Sequence, residues 1–269
     1  MNTRLLLRDR PFFPVGAVIE LGRDWLTRFV AVQGIDRAMA IGAQAYTALI
    51  PLLIVYASLL PRKGSKNFAD VLVERFELTG STAASVERAF APAGDVQSSV
   101  TLLSAVILIV AALSFTRGMQ RLYEGAYGLD KLGMRNTVRG AEWLLALAIL
   151  ATVRPIILEP LGGWLLVAAT LAIGVLLWLL TPYLLLGGRV SWRGLLPSAV
   201  LTAIGMLGVG VWSVLWMPHT LSSSAAQFGV IGIGFAMLTW LVAVSSVLVV
   251  ATTGGAMIAD RIARRRGDA

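Results

Sequence analysis

The stretch that decides the fold lies near the end of the chain, over residues 227–260, and reads QFGVIGIGFAMLTWLVAVSSVLVVATTGGAMIAD. From Phe228 to Ala259 it contains no charged side chain. A helix needs roughly 20 mainly apolar residues to cross the hydrocarbon core of a bilayer. The stretch therefore predicts a membrane-spanning helix.

Three glycines open this stretch within six residues, and two interpretations compete for them. A phosphate-binding loop would need a strand before the glycines and the order Gly-x-Gly-x-x-Gly or a Lys-Ser/Thr ending, and GVIGIG has none of these. Small residues also recur at three- and four-residue steps, which predicts a helix face that packs closely against its neighbours. This small-residue stripe comprises Gly232, Ala236, Thr239, Ala243, Ser246, Val250 and Thr253. Thr239 and Ser246 carry hydroxyl groups, so a lining for a solute path is the alternative.

Composition gives the same membrane interpretation for the whole chain. It is 57% hydrophobic and 14% charged, whereas soluble domains average roughly 25% charged residues. The chain has no cysteine and one histidine, His219. These counts exclude disulfides, thiolate chemistry and a multi-histidine metal site within one chain. No cofactor or metal is expected.

Hydropathy predicts six spans within a membrane domain over residues 38–260. They are Ala38–Leu60, Ser98–Thr116, Gly140–Leu158, Leu161–Leu186, Leu195–Met217 and Phe228–Ala259. The fold class is therefore an all-α polytopic helix bundle. The N-terminal residues are not expected to form a signal peptide, because Arg8, Asp9 and Arg10 interrupt a short apolar run.

Positive charge predicts the orientation. Of the 23 Lys and Arg residues, 17 fall on the side that holds both termini, and the opposite segment 62–97 has five that five acids balance. Cationic segments stay on the cytoplasmic side. We therefore expect an inner-membrane protein with residues 1–37 and the basic tail 261–269 in the cytoplasm.

Two regions outside the spans are predicted to be helical. Val18, Leu21, Trp25, Phe29 and Val32 recur at helical spacing, so an amphipathic helix either lies on anionic lipid or packs on the ends of the spans. The insertion 62–97 predicts two short helices, ended by glycine and proline, that cap the outer face.

Polar residues inside the spans are the candidates for function. Gln44, Thr47 and Pro51 share one face of the first span, where proline leaves the carbonyl of Thr47 without a donor. They predict either helix packing or a polar lining. Arg154 lies inside the third span, and we expect it to reach the headgroups or to pair with Glu159.

Three stretches carry a resemblance to known proteins: DRAMAIGAQAYTALIPLLIV at residues 36–55, SFTRGMQRLYEGAYGLD at 114–130, and the final span quoted above. Together they resemble the YihY/BrkB family of bacterial inner-membrane proteins. In the second stretch Gln120, Arg121, Ala126, Tyr127 and Gly128 match the family pattern. The resemblance covers roughly Gly34 to Asp260. The final span departs from it, because TGGAMIAD lacks the glutamate that many relatives carry there.

The resemblance implies a six-span membrane protein with a role in the cell envelope. Transport of a lipid or small solute is the first hypothesis, and a scaffold that recruits partners through its outer cap or basic surface is the second. Some relatives are labelled ribonuclease BN, but this sequence offers no metal-ligand cluster and no catalytic constellation. We expect no enzyme and no nucleic-acid partner. Membrane lipids are the expected partners, and self-association into a homo-oligomer is left open.

Overall fold

A computed structural model describes residues 15–59, 70, 73–74, 78–89 and 98–266. In this part of the chain every regular element is a helix, which confirms the all-α prediction. The elements before the last helical stretch are α1 (Val15–Ala31), α2 (Gly34–Leu59), α3 (Gly80–Ala89), α4 (Ser98–Ala126), a 3₁₀ turn (Gly133–Asn136), α5 (Thr137–Leu158) and α6 (Gly163–Leu185).

The last helical stretch, Trp192–Arg266, is broken at Gly229, whose φ of 59° and ψ of −137° are not helical. Glycine tolerates this backbone because it has no Cβ. We name the two arms α7 (192–228) and α8 (230–266). They fold back on each other, since Trp240 donates to Ser213 Oγ at 2.8 Å and Gly255 lies against the backbone of Ser198. The arms therefore form an antiparallel helical hairpin.

Among the described residues, three helices are long and apolar enough to cross a membrane. They are Ala105–Ala126, Gly163–Leu185 and the interrupted stretch Trp192–Arg266. Gly163–Leu185 has a mean hydropathy of 2.3 and no buried residue in its most apolar window. Such an uncovered apolar surface is suited to contact with lipid tails.

Several boundaries differ from the predictions, and α8, for example, continues to Arg266 instead of ending at Ala259. The second span was expected to end at Thr116, but α4 continues to Ala126 because its next polar side chains find partners inside the bundle. His219 falls between the predicted fifth and sixth spans, yet it lies within α7. Met217 and Leu221 on either side of it are fully buried, so packing favours a continuous helix through Pro218.

Consecutive long helices run antiparallel. For example, Gly118 of α4 contacts Gln44 of α2, and two helical turns further along α4 Gly125 contacts Arg37. As a result, one end of the bundle, here called the basal end, gathers the starts of α2, α5 and α7 and the ends of α4, α6 and α8. A core cluster of Tyr123, Trp143 and neighbouring aliphatic side chains lies towards this end.

Helix α1 packs on the basal end, which favours the second of its two predicted arrangements. Trp25 Nε1 donates to Thr253 Oγ1 at 3.2 Å, and Arg28 pairs with Asp260 while donating to the carbonyl of Ala126 at 3.0 Å. The opposite face of α1 stays open, with Ile19 65% exposed. This helix is thus held by α4 and α8 on one side and leaves apolar residues uncovered on the other.

At the opposite end, α3 packs against the α7–α8 hairpin. Val86 and Leu78 join a cluster with Met217, Leu221 and Ile233. This helix corresponds to the second of the two predicted outer helices. The first, predicted from residue 67 onward, lies mainly outside the described residues, as do residues 1–14 and 267–269.

Glycines set the closest helix contacts. A Cβ added to Gly42 would lie 2.8 Å from the Cα of Val242, and one added to Gly255 would overlap the backbone of Ser198. Gly118 likewise leaves room only for the side chain of Gln44. Close backbone approach is how helices associate where lipid supplies no hydrophobic drive.

Candidate functional site

A cleft of about 550 Å³ opens on the side of the bundle formed by α5, α6 and α7. Ligand pockets commonly have volumes of roughly 300–1,000 Å³. Most of its wall is apolar and includes Trp178 and Met206, while Arg154 and Thr170 supply side-chain polar groups. We call this space the lateral cleft.

The lateral cleft exists because α6 and α7 touch at one level and leave space at another. A Cβ added to Gly174 would lie 3.5 Å from the Cβ of Ala203, which is ordinary van der Waals contact. At Gly210, two turns along α7, an added Cβ would meet no atom within 4 Å. The space between the helices at Gly210 is therefore not filled by side chains.

Arg154 is the one charged side chain among the described residues that line the cleft. It is exposed, and no described acid lies within ion-pair distance of it, although a pair with Glu159 was one of its two predicted environments. A guanidinium between apolar walls attracts an anion strongly, because few water dipoles compete with the anion there. The cleft therefore combines an apolar surface with one anion-binding group.

The predicted polar face of the first span does not reach the lateral cleft. Gln44 is half-buried, and its Oε1 atom is buried without a hydrogen-bond partner beside Gly118. Thr47 is exposed and donates to the carbonyl of Ala43 at 2.9 Å. Pro51 lies within α2, and its side chain is outside the described set. Gln44 thus lies in the α2–α4 contact.

The small-residue stripe of α8 is buried at its ends and more open between them. Gly232, Ala236 and Thr253 are buried, and Ala243 is half-buried. Ser246 is also half-buried and donates to the carbonyl of Val242 at 2.8 Å, whereas Thr239 is exposed. No hydroxyl of this stripe lines the lateral cleft.

The structure shows a buried carboxylate that sequence reasoning missed. Glu124, near the end of α4, is 2% exposed, and its Oε1 accepts hydrogen bonds from Gln120 Nε2 at 2.7 Å and from the Leu132 amide at 2.9 Å. Arg189 approaches the same oxygen at 3.4 Å and donates to the carbonyl of Asp130 at 2.7 Å. A glutamine four residues before a glutamate on one helix face was the available signal.

These contacts join the loop after α4 to the loop after α6, and we call them the basal clasp. Nearby, the Tyr127 hydroxyl lies 2.8 Å from Ser198 Oγ and donates to the carbonyl of Gly194 at 3.3 Å. Burial raises the pKa of Tyr127 to about 12, so this phenol stays neutral and hydrogen-bonded at physiological pH. The basal clasp thus holds the two loops together.

No group of three or more His, Cys, Asp or Glu residues that could hold a metal ion occurs in the described part of the chain. Comparison with known proteins found no matching family model, no matching curated protein and no matching solved structure.

Proposed function

We propose that this chain is a six-span inner-membrane protein of the YihY/BrkB type that moves an anionic amphiphile, a lipid or a small lipid-like solute, through its lateral cleft. The observation that carries the proposal is a cleft of about 550 Å³ that combines apolar walls with Arg154, which has no ion-pair partner among the described residues. Such a site matches a molecule that has one anionic end and one apolar end.

The span count in this proposal is supported by helix lengths. Besides the three stretches already described, α2 has 26 residues and α5 has 22, and roughly 20 are enough to cross. Counting α7 and α8 separately, the long helices α2 and α4–α8 correspond in order to the six predicted spans. The insertion 62–97 then forms an outer cap, of which α3 is the described part.

The orientation in this proposal is supported by the position of the arginines. The basal end holds Arg28, Arg189, Arg193 and Arg261. Cationic segments resist translocation, so we place the basal end in the cytoplasm. Arg154 then lies towards the outer half of the bilayer.

The test is transport in vesicles. The full-length protein is reconstituted in phosphatidylcholine vesicles with a trace of fluorescent phosphatidylglycerol, and its movement between leaflets is followed by dithionite quenching. Arg154→Gln is expected to slow movement about tenfold, since a hydrogen bond to a charged group contributes roughly 1.5–3 kcal/mol. Arg154→Lys keeps the charge and is expected to retain most of the rate.

The outcome against transport is equally clear. The transport proposal would be wrong if lipid moved between leaflets equally fast in vesicles with wild-type protein and in protein-free vesicles. This comparison is made for both the anionic lipid and its zwitterionic counterpart. Equal rates in wild type and Arg154→Gln would remove Arg154 from the site.

A scaffold is the second candidate, and close packing favours it on the other side of the bundle. Gly42 and Gly118 bring α2 against α8 and α4 with little space between them, as expected for a rigid platform. Deletion of residues 62–97 separates the two functions. Loss of co-purifying partners with unchanged lipid movement would favour the scaffold.

A further inference from the structure

A second cavity lies at the basal end, far from the lateral cleft along α7. It has a volume of about 610 Å³ and lies between the start of α7 and the end of α8. We call it the basal groove, and its lining consists of Ser191, Trp192, Arg193, Gly194, Ala259, Ile262, Ala263 and Arg266.

Both ionisable side chains of the basal groove are cationic. Arg193 comes from α7 and Arg266 from α8, both are exposed, and neither forms an ion pair with a described acid. By contrast, Arg28 and Arg261 nearby are each paired with an aspartate. Two unpaired guanidinium groups on facing walls therefore leave an uncompensated positive charge at the groove.

The backbone of α7 adds to this positive field. Ser191, which precedes the first residue of α7, and Gly194 in its first turn both line the groove. Backbone amides in the first turn of a helix carry a partial positive charge and favour anions. The end of α8 contributes an opposing partial negative charge, which its own terminal arginines offset.

The remaining wall of the groove is apolar and lies at the two ends of the helical stretch Trp192–Arg266, which is long and apolar enough to cross a membrane. Trp192 is 43% exposed and stacks on Tyr183 with ring centroids 4.0 Å apart. Ile262 is 40% exposed. A fixed indole ring at the end of an apolar helix is typical of the headgroup level of a bilayer.

We infer that the basal groove binds the phosphate of an anionic phospholipid headgroup, with Arg193 and Arg266 as the phosphate ligands and Trp192 and Ile262 against the glycerol and upper acyl region. A soluble phosphate compound would leave these apolar side chains uncovered, so the lipid is the better match. This site is separate from the lateral cleft and does not depend on transport.

Binding is tested with the full-length protein in detergent. Fluorescent phosphatidylglycerol in mixed micelles is titrated with protein, and anisotropy reports binding. The double variant R193Q/R266Q is expected to bind about tenfold more weakly, because it removes both guanidinium groups that line the groove and their charge-assisted hydrogen bonds to the phosphate. The matched control R264Q/R265Q removes two adjacent positive charges that do not line the groove, and a change below about threefold is expected.

Competition identifies the ligand. Unlabelled phosphatidylglycerol is expected to displace the probe, whereas phosphatidylcholine and inorganic phosphate at the same concentration are not. Equal weakening in the two double variants would show general charge attraction and overturn the site, as would no weakening in R193Q/R266Q. Displacement by inorganic phosphate as effective as by the lipid would overturn the choice of a lipid. Unchanged gel-filtration profiles establish that the variants are folded.

Discussion

The contacts of α2 with α4 and α8 are much closer than those that α5 and α7 make around α6. On the first side, glycines let backbone meet backbone or side chain, as at Gly42 on Val242. On the second side, α6 and α7 touch at Gly174 and then leave the lateral cleft open near Gly210. Glycines occur on both sides. On the first side the neighbouring helix fills the space beside glycines such as Gly42, whereas on the second side the space beside Gly210 stays empty.

This difference separates two roles of small residues in one bundle. A glycine that contacts a neighbouring backbone holds two helices together, and a glycine that faces empty space keeps a cavity open. The sequence pattern of small residues is the same in both cases. Substitution of each kind of glycine therefore distinguishes the two sides.

The largest effect is expected where α7 meets α8 at Gly255, one of the two closest glycine contacts among the described residues. Gly255→Leu would force a side chain into the backbone of Ser198, and this cannot be accommodated without separating α7 from α8. We expect loss of the monodisperse protein in gel filtration, since overpacking of even a few atoms costs about 1–3 kcal/mol and backbone overlap costs more. Gly208→Leu is the matched control, because an added Cβ there meets no atom within 4 Å. Similar profiles for the two variants would contradict the close-packed α7–α8 contact.

A smaller effect is expected at the basal clasp. Glu124→Gln removes the negative charge that attracts Arg189 while it keeps the size of the side chain. We expect destabilisation by about 1–3 kcal/mol, because the hydrogen bonds that the buried carboxylate accepts from Gln120, Leu132 and Arg189 would lose their charge assistance. Thermal unfolding in detergent measures it, together with protease cleavage in the loop 127–132. The exposed Glu142→Gln serves as control, and equal unfolding curves for all three proteins would show that the clasp does not hold the loops.

The smallest effect is expected where α1 meets α8 at the surface. Arg261 pairs with Asp24, and their side chains are 32% and 57% exposed. Solvent screens such pairs, which contribute roughly 0–1 kcal/mol. Arg261→Gln is therefore expected to shift the thermal midpoint little and to lose even this shift in high salt. If Arg261→Gln lowered the thermal midpoint more than Glu124→Gln does, the ranking of the two contacts would be reversed.

The sequence predicted the features that depend on local pattern. Length and hydropathy identified helices such as Gly163–Leu185 within two residues of their ends. This was possible because an apolar run and the turns that flank it depend only on consecutive residues. Arg154 was identified as a candidate for the same reason, since a charge inside an apolar segment is conspicuous.

Features that depend on distant contacts were missed. Glu124 was not recognised because its partners Leu132 and Arg189 come from two different loops. Trp143, near the start of the predicted third span, is 3% exposed and donates to Thr181 Oγ1 at 3.1 Å, a contact with α6 that no local sequence pattern indicates. The lateral cleft could not be predicted either, since it depends on how far α6 and α7 diverge after Gly174.

The central claim, that the open side of the bundle holds an anionic amphiphile, is tested most directly by photo-crosslinking. The protein is reconstituted with a phosphatidylglycerol analogue that carries a photoreactive acyl chain, and the labelled residues are mapped by mass spectrometry. We predict labelling concentrated on the cleft wall at Met206 and Leu207, and loss of this labelling in Gly210→Phe, which fills the cleft, but not in Gly208→Phe. Labelling spread evenly over exposed apolar residues such as Ile109 and Val110, with no change in Gly210→Phe, would contradict the account.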